Sequence, residues 1–64
     1  MKYTVIEMQN GVIGSNVWQF ETREEAESKF YAVLSVAAVS SVAVHTVMIV
    51  TDEGFSLDCK CYKH

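Results

Sequence analysis

The sequence predicts an α+β domain with the element order ββαββ, in which two β-hairpins are joined by one central helix. Residues 2–9 and 17–20 are rich in β-branched and aromatic side chains and lie on either side of a turn signal. The charge-free stretch Phe30–Val50 changes from Ala-rich to β-branched near Ser40-Ser41, which favours a helix followed by a strand. We expect residues 1–64 to form one domain, with the helix packed on an antiparallel or mixed sheet.

The first hairpin contains two competing turn signals. Asn10-Gly11 favours a two-residue type I′ turn, because that turn needs positive φ at both central residues. Residues 14–16, Gly-Ser-Asn, offer a looser alternative. The tight turn would pair Tyr3 with Trp18, and the longer loop would shift that register.

The helix is predicted to begin near Arg23 and to end near Ser40-Ser41. Thr22 and Glu25 have the spacing of a capping box, and further glutamates follow in the first turns, where they meet the positive end of the helix dipole. One helical stripe is apolar and is expected to face the sheet. Its members are Ala26, Phe30, Val33, Leu34 and Ala37.

The opposite side of this helix is small or apolar rather than charged, which is unusual for a helix that faces water. Half of the 64 residues are hydrophobic, and a chain this short buries only about 60% of its unfolded surface. The sequence therefore predicts a homodimer or higher oligomer formed through the helix, the sheet or both. The expected interface residues on and after the helix are Ser28, Tyr31, Ser35, Ala38, Val39 and Val42.

The second hairpin is predicted from Val44–Thr51 and Phe55–Tyr62, joined by a turn at residues 52–54 in which Gly54 can supply positive φ. Both faces of the first of these strands are mainly apolar, as in a central strand. Alternation in the second strand predicts one shared face for Phe55, Leu57, Cys59 and Cys61.

Charge and hydropathy argue against two classes of partner. The net charge of −3 disfavours a nucleic-acid-binding protein, which would carry a basic patch. The charge-free stretch is interrupted by serines and His45 and has no flanking basic cluster, so a membrane span is not expected. Residues after Met1-Lys2 enter a strand pattern directly, which predicts no signal peptide and a cytoplasmic location.

The aromatic residues suggest one binding surface. Trp18, Tyr3, Arg23 and Tyr31 could form an aromatic and cationic floor for a small anionic ligand or a protein partner, since interface hot spots use these residue types. The alternative is that Trp18 and Tyr3 only cover the sheet.

No catalytic, metal or cofactor site is predicted. Cys59, Cys61 and His64 fall short of the four ligands of a closed zinc site, so the cysteines are expected to be small core residues. His45 lies in an apolar strand and is expected to be a satisfied core or interface residue. The sequence shows no convergent acid, base and oxyanion groups, so an enzyme is not expected.

The opening YTVIEMQNG, the helix AESKFYAVLSVAAVSSV, His45 and the closing TDEGFSLDCKCYKH resemble short uncharacterised proteins encoded by phages and prophages of Firmicutes and related gut bacteria. The resemblance covers nearly the whole chain and is densest over residues 26–42. Polar residues stand in that group where Cys59 and Cys61 stand here, so it implies no cysteine-based function. It implies a phage context and brings no activity with it.

Two function classes follow from these features. The first is a homo-oligomeric, non-catalytic phage protein that sequesters a host defence component or a small signalling ligand in the host cytoplasm. The alternative is a small structural or assembly-accessory protein of a phage particle. Gene neighbourhood distinguishes these two classes, because capsid and tail genes would flank the gene of an assembly protein.

Overall fold

The computed structural model describes residues 1–64 and confirms an α+β fold with the element order ββαββ. One helix packs on one face of a four-stranded sheet of order β2-β1-β3-β4, in which all neighbouring strands are antiparallel. The elements are β1 (Tyr3–Gln9), β2 (Val17–Phe20), α1 (Arg23–Ala37), β3 (Val44–Thr51) and β4 (Ser56–Lys63). The two central strands are therefore the first strand of each hairpin.

The first hairpin contains both of the predicted turns in succession. Asn10 and Gly11 have φ of 54° and 81°, and Gln9 and Val12 bridge across them. A second turn follows, in which the Asn16 N–H donates to the Ile13 carbonyl at 3.1 Å. These extra residues shift the ladder by two.

As a result, Tyr3 pairs with Phe20, and Val5 is the residue opposite Trp18. The pairing of Tyr3 with Trp18 expected from a tight turn alone is wrong. The longer-loop alternative is the one found.

The helix begins at Arg23, as predicted, with Thr22 as its N-cap. The Thr22 Oγ1 accepts a hydrogen bond from the Glu25 N–H at 3.3 Å and donates to the Glu25 carboxylate at 2.9 Å. This satisfies one of the backbone donors that a helix start leaves without an internal partner.

The helix ends at Ala37, earlier than the predicted Ser40-Ser41. The N–H groups of Val39 and Ser40 donate to carbonyls only three residues back, so the chain tightens out of the α-helix there. His64 Nε2 also donates to the Ala37 carbonyl at 2.9 Å, which ties the last residue of the chain to the helix end. The helix is too short to cross a membrane.

The core lies between α1 and the sheet and follows the predicted helical stripe. Four of the five stripe residues are buried and Leu34 is partly buried against them. The buried apolar residues are Val5, Ala26, Phe30, Val33, Ala37, Val47 and Ile49.

The second hairpin is irregular at Leu57. Val50 pairs with Ser56 and Ile49 pairs with Asp58, so Leu57 is an extra residue and the strand contains a bulge. Leu57 packs against the core cluster. A bulge of this kind breaks the alternation on which the predicted shared face of Phe55, Leu57 and the cysteines depended.

Beyond the bulge, Cys59 pairs with Met48 and Cys61 pairs with Thr46. These partners alternate along β3 with the buried residues, so both cysteines lie on the face of the sheet that is turned away from α1. Both thiols are exposed. The prediction that they are core cysteines is therefore wrong.

We call the side of the sheet that α1 does not cover the open sheet face. None of its residues is buried. By strand alternation and register, it consists of Thr4, Ile6, Met8, Val17, Gln19, Val44, Thr46, Met48, Val50, Ser56, Cys59, Cys61 and Lys63.

Candidate functional site: a cleft between the helix and the first hairpin

A cleft of about 240 Å³ opens between α1 and the β1–β2 hairpin. On this side the sheet ends at β2, an edge strand of four residues. The cleft is lined by Glu7 and Trp18 from the sheet and by Lys29, Ala32, Val33 and Val36 from the helix. Most of this lining is apolar, and the polar groups are few.

Lys29 and Trp18 form one wall of the cleft. The Lys29 ammonium lies 4.2 Å from the centre of the Trp18 ring, which is within the range of a cation–π contact. The ion pairs of the chain are Lys2–Glu21, Arg23–Glu27 and Glu7–His45, so Lys29 is in none of them. The Lys29 ammonium therefore reaches the cleft without a direct ion pair, and the carboxylate that shares the cleft, Glu7, is bonded to His45 instead.

Glu7 lies at the sheet side of the cleft and is held by a chain of buried hydrogen bonds. Its Oε2 lies 2.5 Å from His45 Nε2, and His45 Nδ1 lies 2.8 Å from Ser40 Oγ. The Val42 N–H donates to the same Ser40 Oγ at 3.3 Å. No buried side-chain polar atom lacks a partner, so this polar network is fully satisfied.

The hydrogen-bonded series Ser40–His45–Glu7 contains the residue types of a nucleophile, a base and an orienting carboxylate. Two features of its setting favour a positioning role instead. Ser40 and His45 do not line the cleft, and Ser40 follows the carboxyl end of α1, whose carbonyls favour positive rather than negative charge. We therefore interpret the network as the support that holds the Glu7 carboxylate at the cleft.

Of the four residues predicted to form an aromatic and cationic floor, the cleft contains Trp18. Tyr3 lies on the same sheet face and packs against the core. Arg23 pairs with Glu27 at 3.5 Å, and Tyr31 is 57% exposed with its ring edge-on to Phe30. The cation that contacts the indole is therefore Lys29, six residues beyond Arg23 along the helix.

The sequence contained signals for the two residues that were missed. Glu7 shares a strand face with Val5, so a carboxylate was already placed on the side that packs on the helix. Lys29, Val33 and Val36 recur at spacings of four and three, which puts them on one flank of α1. The pairing of β1 with β3, which brings His45 to Glu7, could not be predicted from the sequence.

Cys59 and Cys61 were considered as metal ligands together with His64. The structure contains no group of three or more His, Cys, Asp or Glu side chains that could hold a metal ion. His64, the third residue considered with Cys59 and Cys61, stacks on Tyr62 and bonds to the helix end.

Comparison with protein-family models, curated proteins and solved structures found no match for this chain.

Proposed function

We propose that this protein is a non-catalytic binding protein whose cleft holds a small planar ligand with an anionic group. The observation that carries the proposal is Lys29, which is held on the face of Trp18 without a carboxylate partner at the wall of an otherwise mainly apolar cleft. An aromatic wall and a free ammonium are the groups that a planar anion needs, one for the ring and one for the charge.

The volume of the cleft limits the size of the ligand. At about 240 Å³ it is smaller than the ~300–1,000 Å³ that pockets for drug-sized molecules occupy. This volume suits a ligand with a single ring system packed against the apolar lining, with a charged substituent directed toward Lys29. An extended chain would leave most of its surface outside.

Glu7 gives the cleft a second polar requirement. One carboxylate oxygen is engaged by His45, and the side chain remains 11% exposed, so the carboxylate can accept a hydrogen bond from a ring N–H or an amino group. A ring with a donor on one edge and an anionic group on the other satisfies Glu7 and Lys29 together. A nucleoside monophosphate has this arrangement and is a suitable first probe.

The phage context implied by the sequence resemblance suggests a biological role for such binding. A phage protein that binds a host signalling ligand or a host defence component in the host cytoplasm lowers the free concentration of that molecule without any catalysis. The same small domain could instead assist particle assembly. In that role a larger virion protein would cover the exposed side chains of Val36 and Val39. Native mass spectrometry of the protein purified from infected cells separates these roles, because a retained small molecule supports sequestration and virion proteins support assembly.

The test of ligand binding uses the intrinsic fluorescence of Trp18, which is the only tryptophan of the chain. The four common nucleoside monophosphates are titrated against the protein, with the four uncharged nucleosides as matched ligands. We expect saturable quenching by at least one monophosphate and weaker quenching by its nucleoside. Linear, unsaturable quenching by all eight compounds would overturn the assignment of this ligand class.

A pair of lysine variants tests the site. Lys29→Gln removes the ammonium from the cleft, whereas Lys60→Gln removes one that lies 5.4 Å from the Tyr62 ring on β4 and outside the cleft. We expect Lys29→Gln to weaken monophosphate binding by about tenfold, which corresponds to ~1.4 kcal/mol, and Lys60→Gln to leave it unchanged. Equal effects of the two variants would show that the anion is attracted by overall charge and not by the cleft.

A further inference from the structure

The centre of the open sheet face is mainly apolar although α1 covers only the other side of the sheet. Its two central strands present Ile6, Met8, Met48 and Val50, all partly exposed. Antiparallel sheets that face water on one side usually alternate apolar residues with polar ones, so that the solvent face is polar. Here both faces of β3 are apolar or weakly polar.

Nearly all charged residues of the chain lie away from this face. None of the eight Asp and Glu side chains belongs to it, and its single strand-borne charge is Lys63, the last residue of edge strand β4. A charged partner would gain no ion pair in the centre of such a surface. A second copy of the same surface meets it without opposing like charges in the middle, as a two-fold symmetric contact requires.

The area of the face suits a small dimer interface. Strands of seven, four, eight and eight residues, spaced about 4.8 Å apart with a rise of about 3.4 Å per residue, form a face of about 440 Å² in projection. Two such faces bury about 900 Å² together, which is the size of the smaller and weaker specific interfaces.

We infer that two copies of this chain pair through their open sheet faces, forming a four-layer helix–sheet–sheet–helix dimer. The two sheets pack about 10 Å apart, as in a β-sandwich, and their side chains become a second hydrophobic core. The helix surface predicted from the sequence is the competing interface. It offers less area, because a 15-residue helix about 22 Å long and ~10 Å wide presents only about 220 Å² in projection.

Two charge substitutions distinguish these surfaces. Met48→Lys places an ammonium in the centre of the open sheet face, and Ala38→Glu places a carboxylate on the exposed outer side of the helix end. Each protein is measured by light scattering coupled to size-exclusion chromatography, with circular dichroism to establish that it is folded. We expect wild type and Ala38→Glu at twice the chain mass of 7.2 kDa and Met48→Lys at the single mass.

Alkylation of the thiols provides a measurement that needs no substitution. Cys59 and Cys61 are exposed in the single chain and lie on the open sheet face, so a dimer through this face covers both. We expect N-ethylmaleimide to label wild type at least about tenfold more slowly at high protein concentration than at low concentration, by mass action on the dimer. If Met48→Lys does not fold, this measurement decides alone.

Three results would overturn the inference. These are a wild-type protein that remains a single chain at high concentration, thiol labelling that is independent of protein concentration, and a dimer that survives Met48→Lys but is lost in Ala38→Glu. The last result would assign the interface to the helix. The quenching experiment on Trp18 is unaffected by all three, because the cleft lies on the other side of the sheet.

Discussion

His45 Nε2 lies 2.5 Å from Glu7 Oε2, which joins two residues 38 positions apart beneath the helix. Both side chains are almost fully buried, at 2% and 11% exposed. Burying charged or strongly polar groups is costly unless their partners are present, so each residue makes the other tolerable in the core. The pair also links β1 to β3, the two strands in the centre of the sheet.

A double-mutant cycle measures the coupling free energy between Glu7 and His45. His45→Leu should lower the free energy of unfolding by about 3–5 kcal/mol, because it leaves the Glu7 carboxylate buried without its partner. Adding Glu7→Leu should restore most of that loss, since an apolar pair of similar size needs no partner. Urea unfolding of the four proteins at one concentration gives the coupling. Additive effects of the two changes would contradict the paired arrangement.

Ser40 should matter for stability although it follows the end of the helix. Its Oγ bonds to His45 Nδ1 and accepts from the Val42 N–H, so Ser40→Ala leaves two polar groups with one partner fewer. We expect a loss of about 1–3 kcal/mol in the free energy of unfolding. Ser41→Ala is the matched control, because Ser41 is exposed and its hydroxyl makes no hydrogen bond. The control should change stability by less than about 0.5 kcal/mol, and a similar loss in both variants would argue against the network.

Asn10 should be sensitive for two separable reasons. Its φ of 54° is in the left-handed region, and its Oδ1 accepts a hydrogen bond from the Val44 N–H at 3.0 Å. Asn10→Ala should lose both the tolerance of positive φ and the hydrogen bond, and should lower the free energy of unfolding by about 2 kcal/mol. Asn10→Gly should lose only the hydrogen bond and should lower the free energy of unfolding by about half as much. Asn10→Asp keeps the acceptor and should be the mildest of the three. Thermal unfolding of the set tests this order, and an Ala variant as stable as the Gly variant would refute it.

Local patterns were sufficient for most of the secondary structure. The capping residue Thr22, the helical stripe from Ala26 to Ala37 and the β-branched Val44–Thr51 each depend on neighbours within a few residues. Such patterns are visible in one sequence, because side-chain spacing follows the period of the element. The order of elements and the buried side of the helix were predicted for this reason.

Register was harder to predict, because it depends on how turns combine. Asn10-Gly11 forms its expected turn, yet a second turn at residues 13–16 moves Tyr3 from Trp18 to Phe20. One extra residue at Leu57 likewise changes the alternation ahead of Cys59 and Cys61. An insertion of one or two residues changes which face or partner a side chain has, and the residue types alone do not reveal it.

The amino-acid sequence by itself determined the element order ββαββ, the start of the helix and the residues that the helix buries, because these follow from periodicity within single elements. Only the tertiary structure decided that Glu7 meets His45, that Lys29 lies on Trp18 beside a cleft, and that the cysteines lie on an uncovered face. Those relationships depend on strand pairing and on helix placement between residues far apart in the chain. Contacts of that kind are set by the packing of the whole domain.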